Sequence, residues 1–284
     1  PASCCPAVSL PLACRERMAD HGGPDRPCLV ACVGDSLTAG TSVATSGGYP
    51  LRLQGLLRAE GVHADVSNCG LSGAGVLPYM RSGVSSHCQY TPARLQQVFR
   101  RHGRAPDVIV AMLGTNDATD QLDPDSFATH YSLLLREAAR GEGDRECPVL
   151  VLVPPLICGD VKTSHHDARV IAEVLPAAVR TAAEAAGAPV LDPRPGLGGP
   201  QPSSLFYDDP VHLSGPGVKR LAEVVLAALL HEAEARPWPR WLERQRPPTP
   251  DLGPAQPPSA FSGIEEAGVV MRPTGERAEG QLWL

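Results

Sequence analysis

The sequence contains no apolar run approaching the roughly 18 residues that a membrane-spanning helix needs, which argues against a helical span. It carries no excess of positive charge either: 25 Lys and Arg against 31 Asp and Glu leave a net charge of −6. The basic clusters, Arg100-Arg101 and Arg240 with Arg244 and Arg246, fall on expected surface or tail, so nucleic-acid binding gains little support. Nine cysteines include no C-x-x-C pair and make an odd total, which fits neither a zinc ribbon nor a disulfide framework. Cys32, Cys69 and Cys158 lie within or beside expected strands, where a thiol behaves as a small hydrophobe. Reduced, structural cysteines are the expectation. No internal repeat is present.

What is there fits one domain of about 200 residues with extensions at both ends. Hydrophobic residues make up 43% of the chain, while 30 prolines and 28 glycines cluster outside the periodic segments. The expected organisation is an N-terminal extension over 1–27, expected to be disordered, a folded domain over 28–235 and a Pro-rich extension over 236–284. Met18 offers a start just upstream of the first strand. On that reading residues 1–17 lie outside the folded protein, no signal peptide precedes it, and a cytoplasmic location is favoured. Otherwise "AVSLPLAC" reads as the end of a secretory apolar segment. The stretch "GVVMRPTGERAEGQLWL" is expected to form a hairpin.

Apolar runs of strand character recur at Leu29 to Val33, Ala64 to Ser67, Val108 to Leu113, Val149 to Val153 and Pro189 to Leu191. Helical spacing fills the gaps. Leu51, Leu53, Leu56 and Leu57 are expected on one apolar face, and Leu95, Val98 and Phe99 on another. A helix from Phe127 through Ala139 is expected to follow Asp125 as its N-cap. Ala168 to Ala186 reads as an Ala-rich helix interrupted by Pro176 and stopped at Gly187. The last helix runs from Val218 to Ala235. Strands alternating with helices indicate an α/β fold with a parallel sheet covered on both faces. In such sheets ligands bind at the carboxyl ends of the strands.

Ser36 stands at that end of the first strand, in "LVACVGDSLTAG". Ser, Asp and Gly there can simply cap a helix and turn the chain; equally, a strand end is a rigid perch for a nucleophilic hydroxyl. A nucleophile needs a base, an orienting group and oxyanion donors. His212 in "FYDDPVHLSGPG" sits three residues after Asp209, a spacing that lets the carboxylate face Nδ1 and leaves Nε2 for the serine. Asp208 is the rival orienter. Asp208, Asp209 and Ser214 can equally serve as turn and N-cap residues. "LGTNDA" can point the Asn116 amide into the cleft, and "NCGLSGAG" supplies Gly70, Gly73 and Gly75 for close backbone approach. His165-His166-Asp167 is expected to cap the Ala-rich helix or lie on the surface rather than hold a metal. His63 and His102 lie near element ends without partners that spacing identifies. Asp35 and Asp117 are expected to bind loop backbone, and Thr38, Tyr79 and Tyr207 are possible pocket residues.

Four blocks in order, "GDSLTAG", "NCGLSG", "GTND" and "DPVH", resemble those of the GDSL-type, or SGNH, hydrolase family, over roughly Leu29 to Glu234. G-x-S-x-G appears nowhere, which argues against an ordinary α/β-hydrolase. The resemblance implies a three-layer α/β/α sandwich around a central parallel sheet of about five strands, flavodoxin-like in arrangement. It implies Ser36 as nucleophile and first oxyanion donor through its N–H, Gly73 N–H and the Asn116 amide as second and third donors, and Asp209 and His212 as orienter and base. It implies an acyl-enzyme mechanism acting on a small-molecule ester, with no metal or organic cofactor.

The stretches "GGYPLRLQGLL", "MLGTNDA" and "VLVPP" look most like the branch that includes carbohydrate and sialate O-acetylesterases. A short acyl group on a polar alcohol is therefore expected; lipase, lysophospholipase, arylesterase and thioesterase activities occur on the same scaffold. Two readings from other classes remain beside it: a catalytically silent binding module, and a metal phosphoesterase using Asp35, Asp208, Asp209 and His212.

Overall fold

The computed structural model describes residues 26–41, 48–78, 88–140, 146–158, 166–199 and 202–235. The extensions over 1–25 and 236–284, the hairpin expected near the C-terminus, and Met18, Tyr79 and His165 lie outside the described residues. All described elements belong to one compact unit, Pro1–Pro247, and the second unit, Pro248–Leu284, is wholly outside them.

In chain order the elements are β1 (Cys28–Gly34), α1 (Ser36–Ala39), α2 (Gly48–Ala59), β2 (Ala64–Gly70), β3 (Ala74–Gly75), β4 (Cys88–Gln89), α3 (Pro92–Arg101), β5 (Val108–Met112), α4 (Pro124–Ala139), β6 (Val149–Leu152), α5 (Leu175–Ala185), β7 (Val190–Leu191) and α6 (Gly215–Ala235). The main sheet has the order β2-β1-β5-β6-β7, and each neighbouring pair is parallel. This is the expected α/β/α arrangement with five strands. The chain leaves β1 toward β2 on one side and returns to β5 on the other. The strand order therefore reverses between β1 and β5, where open α/β sheets bind ligands.

Burial explains why the strands read as continuous apolar runs. Ala31, Val33, Ile109, Ala111 and Val151 face one core with Phe127, Tyr131 and Leu135 of α4 and Val179 of α5. Their alternating neighbours Val30, Cys32, Val110, Leu150 and Leu152 face a second core with Leu53 and Leu57 of α2 and Leu221 and Val225 of α6. Both faces of the sheet are covered, so neither register of the strand can be polar. Among the described residues, no helix is long and apolar enough to cross a membrane.

Several boundaries differ from the sequence reading. Leu51 is 55% exposed, because residues two apart on a helix cannot share a face with Leu53. Leu95 and Phe99 are buried as expected, while the Val98 side chain is outside those described. The N-cap of α4 is Asp123, not Asp125: its carboxylate accepts from the Asp125 N–H at 3.2 Å, and Pro124 takes the first turn, where its missing N–H costs nothing. Helix α6 starts at Gly215, three residues earlier than expected, with the Ser214 hydroxyl accepting from the Gly217 N–H at 3.2 Å.

The Ala-rich segment is not one α-helix. A wide π-helical turn over Val170–Val174 precedes α5. Pro176 has no N–H to offer the carbonyl of Ala172. That carbonyl is instead met by Arg194 Nη1 at 3.2 Å, and the Ile171 carbonyl by Arg194 Nη2 at 2.7 Å. No disulfide joins the described cysteines to one another.

Candidate active site

The site grows from the ends of β1 and β5 and the loop before α6. Asp35 ends the β1 turn and caps α1, its Oδ1 accepting from the Leu37 N–H at 2.9 Å. That cap sets Ser36 at the first position of α1. The short helix lies hard against the end of β2: a Cβ on Gly70 would come within 2.2 Å of the Ala39 backbone nitrogen, so only glycine fits there.

Ser36, His212 and Asp209 form one hydrogen-bonded chain. His212 Nε2 is 3.0 Å from Ser36 Oγ, and His212 Nδ1 is 2.7 Å from Asp209 Oδ2. A carboxylate only accepts, so Nδ1 carries the proton and Nε2 is left to accept from the serine hydroxyl. The other Asp209 oxygen accepts from the Val211 N–H at 2.8 Å and the His212 N–H at 2.7 Å. Partial burial pushes the Asp209 carboxyl up. The His212 and Val211 N–H groups and the imidazole outweigh that and hold it below the usual carboxylate range. Asp208, the rival orienter, is exposed; its backbone N–H donates to the His212 carbonyl at 3.0 Å.

The loop bearing Asp209 and His212 is closed by an antiparallel bridge between Tyr207 and Leu213. The Tyr207 hydroxyl donates to the Leu156 carbonyl at 2.5 Å, and the Cys158 N–H to the Pro210 carbonyl at 2.6 Å. Both contacts tie the loop to the chain beyond β6. Tyr207, considered for the pocket wall from sequence, is 91% buried and acts as this brace.

Asn116 lies beyond the end of β5. Its Nδ2 donates to the Ala74 carbonyl at 2.9 Å, and its Oδ1 is 3.4 Å from His166 Nε2. An amide has two N–H groups, so one stays available after the Ala74 bond. Gly73, next to Ala74, has φ +76, a conformation that suits glycine. Its carbonyl accepts from the Cys88 N–H at 3.1 Å. The Asn116–Ala74 bond thus joins the two loops from which Asn116 and Gly73 come.

Asp117 crosslinks the same loops. Its carboxylate accepts from the Val76 N–H at 2.9 Å and the Leu77 N–H at 2.8 Å. Burial pushes the Asp117 carboxyl up to about 6 despite these donors. Burial likewise pushes Asp35 up to about 6, against the Leu37 N–H and the Thr115 hydroxyl. Asp35 Oδ2 and Thr115 Oγ1 do not reach full hydrogen-bond geometry, so their contact is weak. Both aspartates bind loop backbone, as expected from sequence. Thr38 is fully buried rather than open to a cleft.

Asp167 caps the turn before α5, accepting from the Arg169 and Val170 N–H groups at 2.9 and 3.2 Å. Its neighbour His166 was missed as a site residue. Only tertiary folding brings it to Asn116, and the sequence holds no signal for that contact beyond the His-Asp pair. His102, without an identified partner in sequence, has Nε2 2.7 Å from Ser67 Oγ. Among the described residues, no group of three or more His, Cys, Asp or Glu side chains gathers as metal ligands.

The chain matches the GDSL-like lipase/acylhydrolase family model over residues 32–220. No curated protein matches it. A carbohydrate acetylesterase family member from Sinorhizobium meliloti is similar in structure at 22% identity and a TM-score of 0.56, covering 72% of this chain and 98% of its own. A second carbohydrate acetylesterase from the same bacterium has 18% identity and a TM-score of 0.54, covering 72% and 99%. A lipase/acylhydrolase from Enterococcus faecalis has 18% identity and a TM-score of 0.55, covering 72% and 96%. At such identities the likeness is one of fold.

Proposed function

Since this chain belongs to the GDSL-like lipase/acylhydrolase family and is an ester-hydrolysing serine hydrolase, we propose that Ser36, His212 and Asp209 are its catalytic triad and that it cleaves a short-acyl, chiefly acetyl, ester of a carbohydrate or other small polar alcohol. The observation that carries the triad is the unbroken chain from Asp209 Oδ2 through the imidazole to Ser36 Oγ, with links of 2.7 and 3.0 Å. Catalysis resides in residues 28–235.

In this reading His212 Nε2 takes the serine proton as Oγ attacks the ester carbonyl. The carbonyl oxygen becomes an oxyanion, received by the Ser36 N–H, the Gly73 N–H and the remaining Asn116 amide hydrogen. His212 then protonates the leaving alcohol, and an acyl-enzyme remains on Ser36. Water enters, gives its proton to Nε2 and attacks the acyl carbonyl; the bond to Oγ then breaks, Nε2 returns the proton to Oγ, and the acid departs with Ser36 restored. Asp209 keeps the proton on Nδ1 throughout and stabilises the transient imidazolium. His166, 3.4 Å from Asn116 Oδ1, and the Ala74 carbonyl, which accepts from Nδ2, together orient the amide for this role.

Acetyl preference draws support from the stretches around the four blocks and from the two acetylesterases that share the fold. The test is hydrolysis of p-nitrophenyl esters with two, four and eight acyl carbons, beside Ser36→Ala. Activity that falls with chain length and drops by roughly 10⁴-fold or more in the variant supports the proposal. A preference for eight carbons would replace acetylesterase by lipase, and a fully active variant would remove the triad.

A further inference from the structure

A cleft of about 180 Å3 runs along the free edge of β2, bounded on its other side by Tyr90 and helix α3. Helix α3 divides its residues sharply. Leu95 and Phe99 are buried in the core, while Arg94, Gln97 and Arg101, spaced three and four apart, line the cleft. His102 follows, its Nε2 2.7 Å from Ser67 Oγ on the β2 wall, so one hydrogen bond fixes the ring across the cleft.

Among the described residues no carboxylate lines this cleft, although the chain as a whole has a net charge of −6. Among the described residues, neither Arg94 nor Arg101 takes part in an ion pair. Helix polarity accounts for part of this charge, because Arg101 and His102 sit at the C-terminal end, where a cation meets the carbonyl ends of the helix. It does not account for Arg94. Thr91 is the N-cap of α3 and accepts from the Arg94 N–H at 3.3 Å, which puts Arg94 in the first turn, where the helix field disfavours a cation. A guanidinium in that turn without a carboxylate partner, lining the same cleft as a second one two helical turns along α3, suits a ligand that supplies the negative charge.

We propose that this cleft binds a tetrahedral oxyanion group, phosphate or sulfate, carried by a small organic molecule. Arginine forks match two oxygens of such a group at once, and the second nitrogen of His102 and the Gln97 amide extend the donor set. The volume exceeds what the bare ion needs and leaves room for a short organic substituent. The cleft is built on α3 and the outer edge of β2 and includes none of Ser36, Asp209 and His212.

The test is calorimetric titration of the full chain with inorganic phosphate, inorganic sulfate and glucose 6-phosphate at matched ionic strength. Saturable binding at one site is expected, weakened about tenfold for each guanidinium removed in Arg94→Ala and Arg101→Ala, with circular dichroism as the check on folding. Tighter binding of glucose 6-phosphate than of inorganic phosphate supports an organic ligand; equal affinities revise the ligand to the bare ion and overturn the organic part. Absence of saturable binding by all three probes overturns the site, as does binding that the double variant leaves unchanged. If either alanine variant fails to fold, Arg94→Gln retains the stem and the same loss of affinity is required of it.

Discussion

On the β1 and β5 side of Ser36, aspartates are held out of water; in the loop before α6, Asp209 is 39% exposed. Asp35 and Asp117 are buried and pushed up to about 6, whereas Asp209 is held below the usual range. Hydrogen bonds alone do not separate them, since Asp117 also accepts from two backbone N–H groups. Desolvation wins where water is excluded; donors win where the carboxylate keeps part of its hydration and gains an imidazole. The difference divides labour. Buried aspartates fix loops, and the half-exposed one stays ionised against the His212 imidazole, as the proposed triad requires.

The largest break in this comparison should come from Asp209→Asn. An amide can keep the backbone bonds of the loop but favours the wrong tautomer of His212, so kcat should fall roughly 10⁴-fold on p-nitrophenyl acetate. A loss below tenfold would sink the role given to Asp209. Next comes Asn116→Ala, with kcat down on the order of 100-fold and KM little changed, read from the same assay. An effect confined to KM would make Asn116 a binding residue instead.

Asp117→Asn sharpens the other half. A carboxyl raised from 3.8 to about 6 contributes stability that is fully present below about 4 and is lost as pH rises through 6. The stability of the variant relative to the parent should therefore improve by roughly 2–3 kcal/mol between pH 4 and pH 7, measured by urea unfolding. A difference independent of pH would mean that Asp117 titrates normally. Asp209 has the opposite sign, its contribution being lost only as pH falls below the ordinary carboxylate value. The smallest effect is expected from His166→Ala, a loss in kcat of about three- to tenfold, with His166→Gln restoring most of it because the amide can still donate to Asn116 Oδ1. No recovery in the glutamine variant would reduce His166 to packing.

Legibility in the sequence followed the range of the interactions. The strands of the main sheet were readable because burial on both faces leaves no polar position to obscure the run. The Asp209–His212 pair was readable because its geometry spans a single turn. Asp123-Pro124 is a local cap signal, but the apolar periodicity begins only at Phe127 and so points to a later cap. The β3–β4 pair, two residues each, is too short to have a period. His166 with Asn116, 50 residues apart, and Arg194 with the carbonyls of Ile171 and Ala172, more than 20 apart, depend on packing that no local pattern encodes.

One carboxylate serves the loop twice, Oδ1 closing its backbone and Oδ2 holding the imidazole. In the proposed triad, local opening of that turn and loss of catalytic alignment are therefore a single event. On that proposal, amide exchange at Val211 and His212 would report how often the enzyme is momentarily switched off, and its free energy of opening would set a ceiling on the fraction of molecules competent at any instant.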